Sequence, residues 1–403
     1  AFVLRGKTAR EAGTALSADA MVEGTVGKVD GRLRVTISLV NVTDEAVLWS
    51  QRYDVTEKDL YALQDSAAVA IASALHAGVA RRDGLGLAAH RTTNPEAHDL
   101  VLRGQFLVEQ TTEAAVRQAI ALFERAAALD PTYADPWNGI AQGWYFLADT
   151  YLAPRVALPP MRAAIEKALL LDPTSAWAHA LKGSMLVYSS DHAAAEREFL
   201  VAAALDSTTP LLADYAWRLH ARGLDDSAAT VLRRARRHNP FSFEPLNASA
   251  AIFSDRRMLD SASAACEALV QIVANDDCRQ DLLIEGGRAS EAVTGWRANP
   301  PTTATGMLSF ATALAASGDS IAARRQLAAG LAAAGSHYIR EDMVAAVYLS
   351  LGDTVRTLEW LERGVDAQAA NMSTINRIWQ FTPLHGNPRF DAIVRKVGLQ
   401  PWR

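Results

Sequence analysis

Nine histidines, two cysteines and one glycine-rich stretch are the groups in this 403-residue chain that invite a chemical reading. The stretch Gly24-Thr25-Val26-Gly27-Lys28-Val29 has the glycines and lysine of a phosphate-cradling loop. It lacks the spacing of such a loop and a hydroxyl residue after the lysine, and it leads into a hairpin signal instead of a helix, so no nucleotide site is expected. His98, His179 and His192 each stand alone on a helix or turn, where an imidazole is more often structural or solvated than a ligand. Cys266 and Cys278 are too few to define a metal site or a disulfide framework, and Cys266 falls at a core position expected to hold a buried, inert thiol. No zinc-protease helix, nucleophile elbow or kinase signature is present. The expectation is a chain with no catalytic residue, no cofactor site and no metal site, and therefore not an enzyme.

Composition bounds the alternatives. Half of the residues are hydrophobic and 21% are charged, which supports a folded core, and the formal net charge of -5 argues against a nucleic-acid-binding surface. One local basic cluster, Arg233, Arg234, Arg236, Arg237 and His238, reads as a solvated helix end. No run of about 18 apolar residues marks a membrane span.

Residues 1–80 carry mixed signals. Thr8 to Leu16 has helical spacing. Ala20, Val22, Gly24 and Val26 alternate as a strand, Asp30-Gly31 signals a hairpin turn, and Leu33, Val35, Ile37 and Leu39 share one face of a second strand. A third strand runs from about Val47 to Tyr53, and Leu60, Leu63, Ala67, Ile71, Ala74 and Leu75 recur as an amphipathic helix. The module is thus helix, three-stranded antiparallel meander, helix, and so thin that a further strand is expected upstream of Ala1. Residues 81–95 read as a linker.

From residue 96 to about 368 the alternation disappears and alanine-rich helices take over. Leu129-Asp130-Pro131, Leu171-Asp172-Pro173, Leu205-Asp206-Ser207 and His238-Asn239-Pro240 recur at intervals near the period of about 34 residues of a helix–turn–helix repeat. Ala119, Phe123, Ala126 and Pro131 form the second half of one unit, and Trp137, Ile140, Ala141 and Trp144 the first half of the next. Ala168 and Pro173 close that unit after an expected inserted loop at Leu152 to Pro160. Weaker matches continue to Leu361, for about eight helix pairs. These residues resemble the tetratricopeptide repeat (TPR), which implies an α-solenoid binding protein or peptide partners. Residues 369–403 are expected to cap the last apolar face. The fold class is mainly α: a small α/β module followed by a TPR α-solenoid.

In a TPR array the first helix of each pair lines the concave face. The positions that the resemblance places there are Asp135, Asn138, Gln142 and Tyr145; Trp177, Ser184 and Tyr188; Trp217 and His220; and Glu244 and Asn247. Amides beside aromatic rings suit an extended peptide, the amides satisfying its backbone and the rings covering its side chains. An ordinary mixed surface, or a groove filled by a neighbouring segment of the same protein, is the competing reading.

The order of parts also resembles a bacterial architecture in which a TolB-like amino-terminal domain precedes TPR repeats. The resemblance rests on residues 20–26, 30–36, Leu48-Trp-Ser-Gln-Arg-Tyr-Asp54, Ala62-Leu-Gln-Asp65 and, near the end, Leu358 to Arg363 with Asn387-Pro-Arg-Phe390. It implies the sensory or partner-binding half of a larger signalling protein, whose kinase, cyclase or winged-helix domain would lie outside these residues. The alternative is a stand-alone periplasmic or envelope assembly factor; an enzyme site between the two parts has no clustered acid, base or nucleophile behind it. Partner identity, compartment and oligomeric state are not encoded in these patterns.

Overall fold

The computed structural model describes residues 8–16, 18–29, 32–56, 67, 70–71, 92–110, 112–148, 150–207, 209–238, 242–272, 277–335 and 338–401. They fall into two compact units, Ala1–Pro95 and Glu96–Arg403. The Asp30-Gly31 turn and most of the helix expected between Leu60 and Leu75 lie outside the described residues, as do residues 81–91 of the expected linker.

In the first unit, helix α1 (Ala9–Leu16) precedes β1 (Ala20–Val29), β2 (Arg32–Asn41) and β3 (Val47–Val55). The sheet is an antiparallel meander in the order β1-β2-β3, with Val26 opposite Val35 and Val22 opposite Leu39. Directly opposed residues share a face, so the apolar residues of β1 and β2 lie together. Val35 and Leu39 are buried, whereas Val22 and Val26 stay exposed on the edge strand. The phosphate-loop look-alike at Gly24–Lys28 is part of β1 and has no helix N-terminus after it.

In the second unit the described residues hold eight antiparallel helix pairs: α2 (Pro95–Val108) with α3 (Glu113–Leu129), α4 (Asp135–Leu147) with α5 (Pro154–Leu171), α6 (Ala176–Tyr188) with α7 (His192–Leu205), α8 (Leu212–Ala221) with α9 (Asp225–His238), α10 (Phe243–Asp255) with α11 (Leu259–Val270), α12 (Asp277–Glu285) with α13 (Ala289–Ala298), α14 (Ala304–Ala316) with α15 (Ser320–Ala334), and α16 (Glu341–Ser350) with α17 (Thr354–Asp366). From α4 onward the first helices pack on one another in succession, forming the inner row of an α-solenoid.

The repeated residues explain the stacking. Phe123, at the end of one pair, is fully buried where Gly139 of the next pair leaves room: a Cβ on Gly139 would stand 2.6 Å from the ring. Phe199 and Gly183 make the same ring-on-glycine contact within the third pair, at 2.7 Å. The Leu-Asp-Pro-Thr turns are self-capping. Asp130 Oδ1 accepts from Thr132 N at 3.0 Å and from Thr132 Oγ1 at 2.7 Å, and Asp172 with Thr174 repeats the arrangement. Proline then stops the helix because it cannot continue it.

Two expectations are corrected. Leu152 to Pro160 is not an inserted loop, since α5 begins at Pro154 and runs through Pro159 and Pro160. Pro154 fits the first helical position, and the burial of Ala157, Met161 and Ile165 along one face holds the segment helical across the two missing N–H donors. Cys266 is not a free thiol but is joined to Cys278 in a disulfide, Cα–Cα 5.9 Å. Two cysteines 12 residues apart say nothing of this by themselves; the packing of α11 against α12 brings them within bridging range.

The segment after α17 forms 3-10 turns at Ala370–Thr374 and Trp379–Leu384 and the helix α18 (Pro388–Lys396). Met372, Ile375, Phe381, Phe390 and Val394 pack on Leu358 and Leu361 of α17 and on Ala345 of α16, and also reach Ala221 of α8. Further bonds tie this segment to earlier helices: Trp379 N donates to Asp255 Oδ1 at 3.0 Å, and Asn376 Nδ2 donates to the Ala221 carbonyl at 3.5 Å. The solenoid therefore curls until its last segment lies against its third to fifth pairs. No helix among the described residues is long and apolar enough to cross a membrane.

Candidate functional site

The inner row of first helices forms one wall of a cavity of about 330 Å³, and the turn Ala370–Thr374 forms part of the opposite wall. Tyr145 and Phe146 come from α4, Ser184 and Tyr188 from α6, Asp214 and Trp217 from α8, and Phe243, Glu244 and Asn247 from α10. Because these helices stack side by side, residues far apart in sequence arrive at one depth of the groove. The later part of the chain contributes Thr305, Arg340, Asn371 and Ser373.

Six of the eleven sequence-derived groove residues line this cavity: Tyr145, Ser184, Tyr188, Trp217, Glu244 and Asn247. The other five are elsewhere. Asp135 is exposed at the start of α4, and Gln142 is half-buried outside the cavity. Asn138 lies beside Ser175, whose Oγ donates to its Oδ1 at 3.4 Å. Trp177 packs as a partly buried ring on the core of the first pairs. His220 is the clearest correction: it is 2% exposed, with Nδ1 2.7 Å from Asp225 Oδ1 and Nε2 3.5 Å from Asp255 Oδ2. It turns away from the groove because two carboxylates on neighbouring helices hold it inside the array.

Asp214 is the residue that sequence reasoning missed. It stands one helical turn before Trp217, so the groove face that carries Trp217 carries it too. Asn371 and Arg340 gave no such signal, because their place depends on the curl of the whole solenoid.

The cavity's electrostatics are set by crowding. The Tyr145 hydroxyl donates to Asp214 Oδ1 at 3.0 Å. Burial pushes the Asp214 carboxyl up to about 6; hydrogen bonds from Ser184 and Tyr145 oppose the rise and the nearby Glu244 adds to it. Burial also raises Glu244, against hydrogen bonds from its own backbone and from Ser242, whose Oγ donates to Glu244 Oε2 at 2.8 Å. The Tyr145 phenol is raised well above its ordinary value by burial and then by Asp214. All three side chains keep a solvent-reachable edge and are only half-buried by accessible area. The concave wall surrounds them with protein atoms nonetheless, so their charged forms are poorly solvated. Two cations share the lining. Arg340 is taken up by Asp342, at 2.6 Å, and Arg218 Nη1 donates to the Ser373 carbonyl at 3.0 Å.

Two under-solvated carboxylates lie among the rings of Tyr145, Tyr188, Trp217 and Phe243, a setting in which a cation would gain from both the charges and the aromatic faces. Among the described residues no group of three or more His, Cys, Asp or Glu could hold a metal ion.

No family model matches the chain. Over 132 residues it is 26% identical to a protein named "Putative adenylate cyclase 3" from Rhizobium meliloti (strain 1021). The match covers 32% of this chain and 22% of that protein, so the chain spans about a fifth of its relative's length. Among solved structures, a tetratricopeptide repeat protein from Parabacteroides merdae ATCC 43184 is similar over 65% of this chain and 99% of its own, at 12% identity and TM-score 0.41. The TPR domain of P58(IPK) is similar over 75% and 92%, at 12% identity and TM-score 0.23.

Proposed function

We propose that this chain is a non-enzymatic partner-binding scaffold whose concave groove captures an extended protein segment by a basic side chain. The observation that carries this is the cavity itself: Asp214 and Glu244, both poorly solvated, face rings and the Asn247 amide. A lysine or arginine entering there would supply a counter-charge, while the exposed Asn247 amide is placed to bond the segment's backbone. The Ala370–Thr374 turn narrows the groove, which favours one inserted side chain over a broad helical ligand.

In the wider reading, this scaffold is the sensory or partner-binding region of a bacterial signalling protein, with a TolB-like module ahead of its TPR array and a linker between them. The similarity to a putative adenylate cyclase over part of both chains supports it. One observation favours the second reading, an envelope assembly factor: the Cys266–Cys278 disulfide, a bond that persists in oxidising compartments such as the periplasm.

The test is selection from a random peptide library on the immobilised chain, with Asp214→Asn/Glu244→Gln in parallel. Enrichment of Lys- or Arg-containing peptides on the wild-type chain, and its loss on the variant, is the expected result. Enrichment that ignores charge, or that survives the double substitution, overturns the proposal.

A further inference from the structure

On the other side of Arg218 lies a second and larger cavity of about 660 Å³, between α7, α8 and the C-terminal segment. Its lining has the opposite character. Arg218, Arg222 and Arg377 bring three guanidinium groups, and Glu196 is the one carboxylate among the described lining residues. That carboxylate is already engaged, since Arg222 Nη1 donates to both of its oxygens at 2.6 Å.

Arg218 sets the chemistry. It is 4% exposed and makes no ion pair among the described residues. Its hydrogen bond is from Nη1 to the Ser373 carbonyl, at 3.0 Å, which leaves the rest of a five-donor fork without an anion. Burial first, and then Arg222, lowers the Arg218 pKa to about 10, against the attraction of Glu196, whose oxygens are shared with Arg222. His192, on the same wall, is lowered by burial and by Arg218; its Nε2 lies 2.6 Å from the Val397 carbonyl, and its Nδ1 is buried with no partner. Apolar surface from Tyr215, Leu219, Leu399 and Pro401 completes the lining.

We infer that this cavity is a binding site for a small organic oxyanion, its phosphate or carboxylate head seated on Arg218 and its apolar body against Tyr215, Leu219 and Leu399. A planar guanidinium meets such a head with two parallel hydrogen bonds, and the cavity's volume exceeds what a bare inorganic ion fills. Nearby groups enter the pH dependence in one direction. Burial first, and then Arg218, lowers His192; an anion beside Arg218 relieves that second contribution, so binding takes up protons and tightens as the pH falls toward the ordinary histidine range. The other charged groups around His192 are Arg218, Arg222, Arg377 and Glu196 of the lining and the neighbouring Asp191.

The experiment is isothermal titration of the full chain with phenyl phosphate, benzoate, inorganic phosphate and phenol. Phenyl phosphate or benzoate should bind at least about tenfold more tightly than phenol, and which of the two is tighter tells the phosphate head from the carboxylate head. Inorganic phosphate should be weaker than phenyl phosphate because it leaves the apolar wall unused. Arg218→Gln should weaken the preferred anion about tenfold, with circular dichroism reporting whether the fold is kept. Glu196→Gln leaves Arg218 in place, frees Arg222 and should strengthen anion binding severalfold. Equal binding of phenol and the anions, no anion binding at all, a folded Arg218→Gln that binds as the wild type does, or a Glu196→Gln without gain would each overturn the assignment.

Discussion

Two cavities flank helix α8, and Arg218 lines both, yet they are electrostatic opposites. In the groove cavity Asp214 and Glu244 are acids with too little solvation, and their pKa values rise. In the outer cavity Arg218 and His192 are bases with too little solvation, and their pKa values fall. The same physical cause, burial in a curved helical array, thus underlies both the proposed cation site and the proposed anion site. What differs is which residue type each turn of α8 presents: Asp214 and Trp217 to one side, Tyr215 and Leu219 to the other, with Arg218 lining both and Arg222 just past the helix end on the outer side. A TPR fold alone says nothing about ligand charge; the residues at these few positions decide it.

The largest expected effect erases the contrast altogether. Phe381 is 1% exposed in the cluster that anchors the C-terminal segment, and that segment contributes walls to both cavities. Phe381→Ala should destabilise the second unit by about 3–5 kcal/mol and weaken both classes of ligand, as read by urea denaturation and titration. Phe123→Ala should lower stability by a similar ~3–5 kcal/mol through the contacts of the first pairs while leaving the ligand preferences of both cavities in place, since Phe123 lines neither. If the two variants behave alike toward ligands, the C-terminal segment is not the shared wall described above.

A smaller effect sharpens the groove's side of the comparison. With Asp214 raised from 3.8 to about 6 in the fold, the native state holds a proton that the unfolded chain releases between those values. Stability therefore declines as the pH rises from 3.8 to about 6 and carries the full penalty above it. Asp214→Asn should remove this slope and, allowing for its partial solvent access, raise stability at pH 7 by roughly 1 kcal/mol in urea titrations. A basic ligand prefers the ionised acid, so its affinity should climb over the window in which Asp214 loses its proton. A flat affinity profile would argue against Asp214 as its partner.

The smallest effect is a control. Arg389 and Glu362 form an exposed bidentate pair, Nε to Oε1 2.7 Å and Nη2 to Oε2 2.8 Å, and line neither cavity. Arg389→Ala should leave the urea midpoint and both ligand affinities as in the wild type.

Much of the array was legible in sequence because its rules are local. Phe123, Ala126 and the Leu-Asp-Pro turns recur at the repeat spacing and were read from it, whereas the room that Gly139 leaves for Phe123 came only with the structure. The groove was legible only in part. Tyr145, Trp217, Glu244 and Asn247 follow from position on first helices, and Asp214 was available from its place one turn before Trp217. His220 was misplaced because helical spacing cannot report that Asp225 and Asp255 draw it inward. The Cys266–Cys278 bond and the outer cavity escaped notice because they depend on how separate helices pack, and the helical run through Pro159 and Pro160 because it depends on the burial of Ala157, Met161 and Ile165. Nothing in the sequence near residue 373 or 397 shows that it meets Arg218 or His192.

The most direct test of the groove's role is a calorimetric titration at pH 7 of one selected lysine-containing peptide against its acetyl-lysine twin. Acetylation removes the charge and keeps the chain length. Binding at least about tenfold weaker for the acetylated peptide, with the difference abolished in Asp214→Asn/Glu244→Gln, is the predicted result. Equal affinity of the two peptides for the wild-type chain would contradict the account.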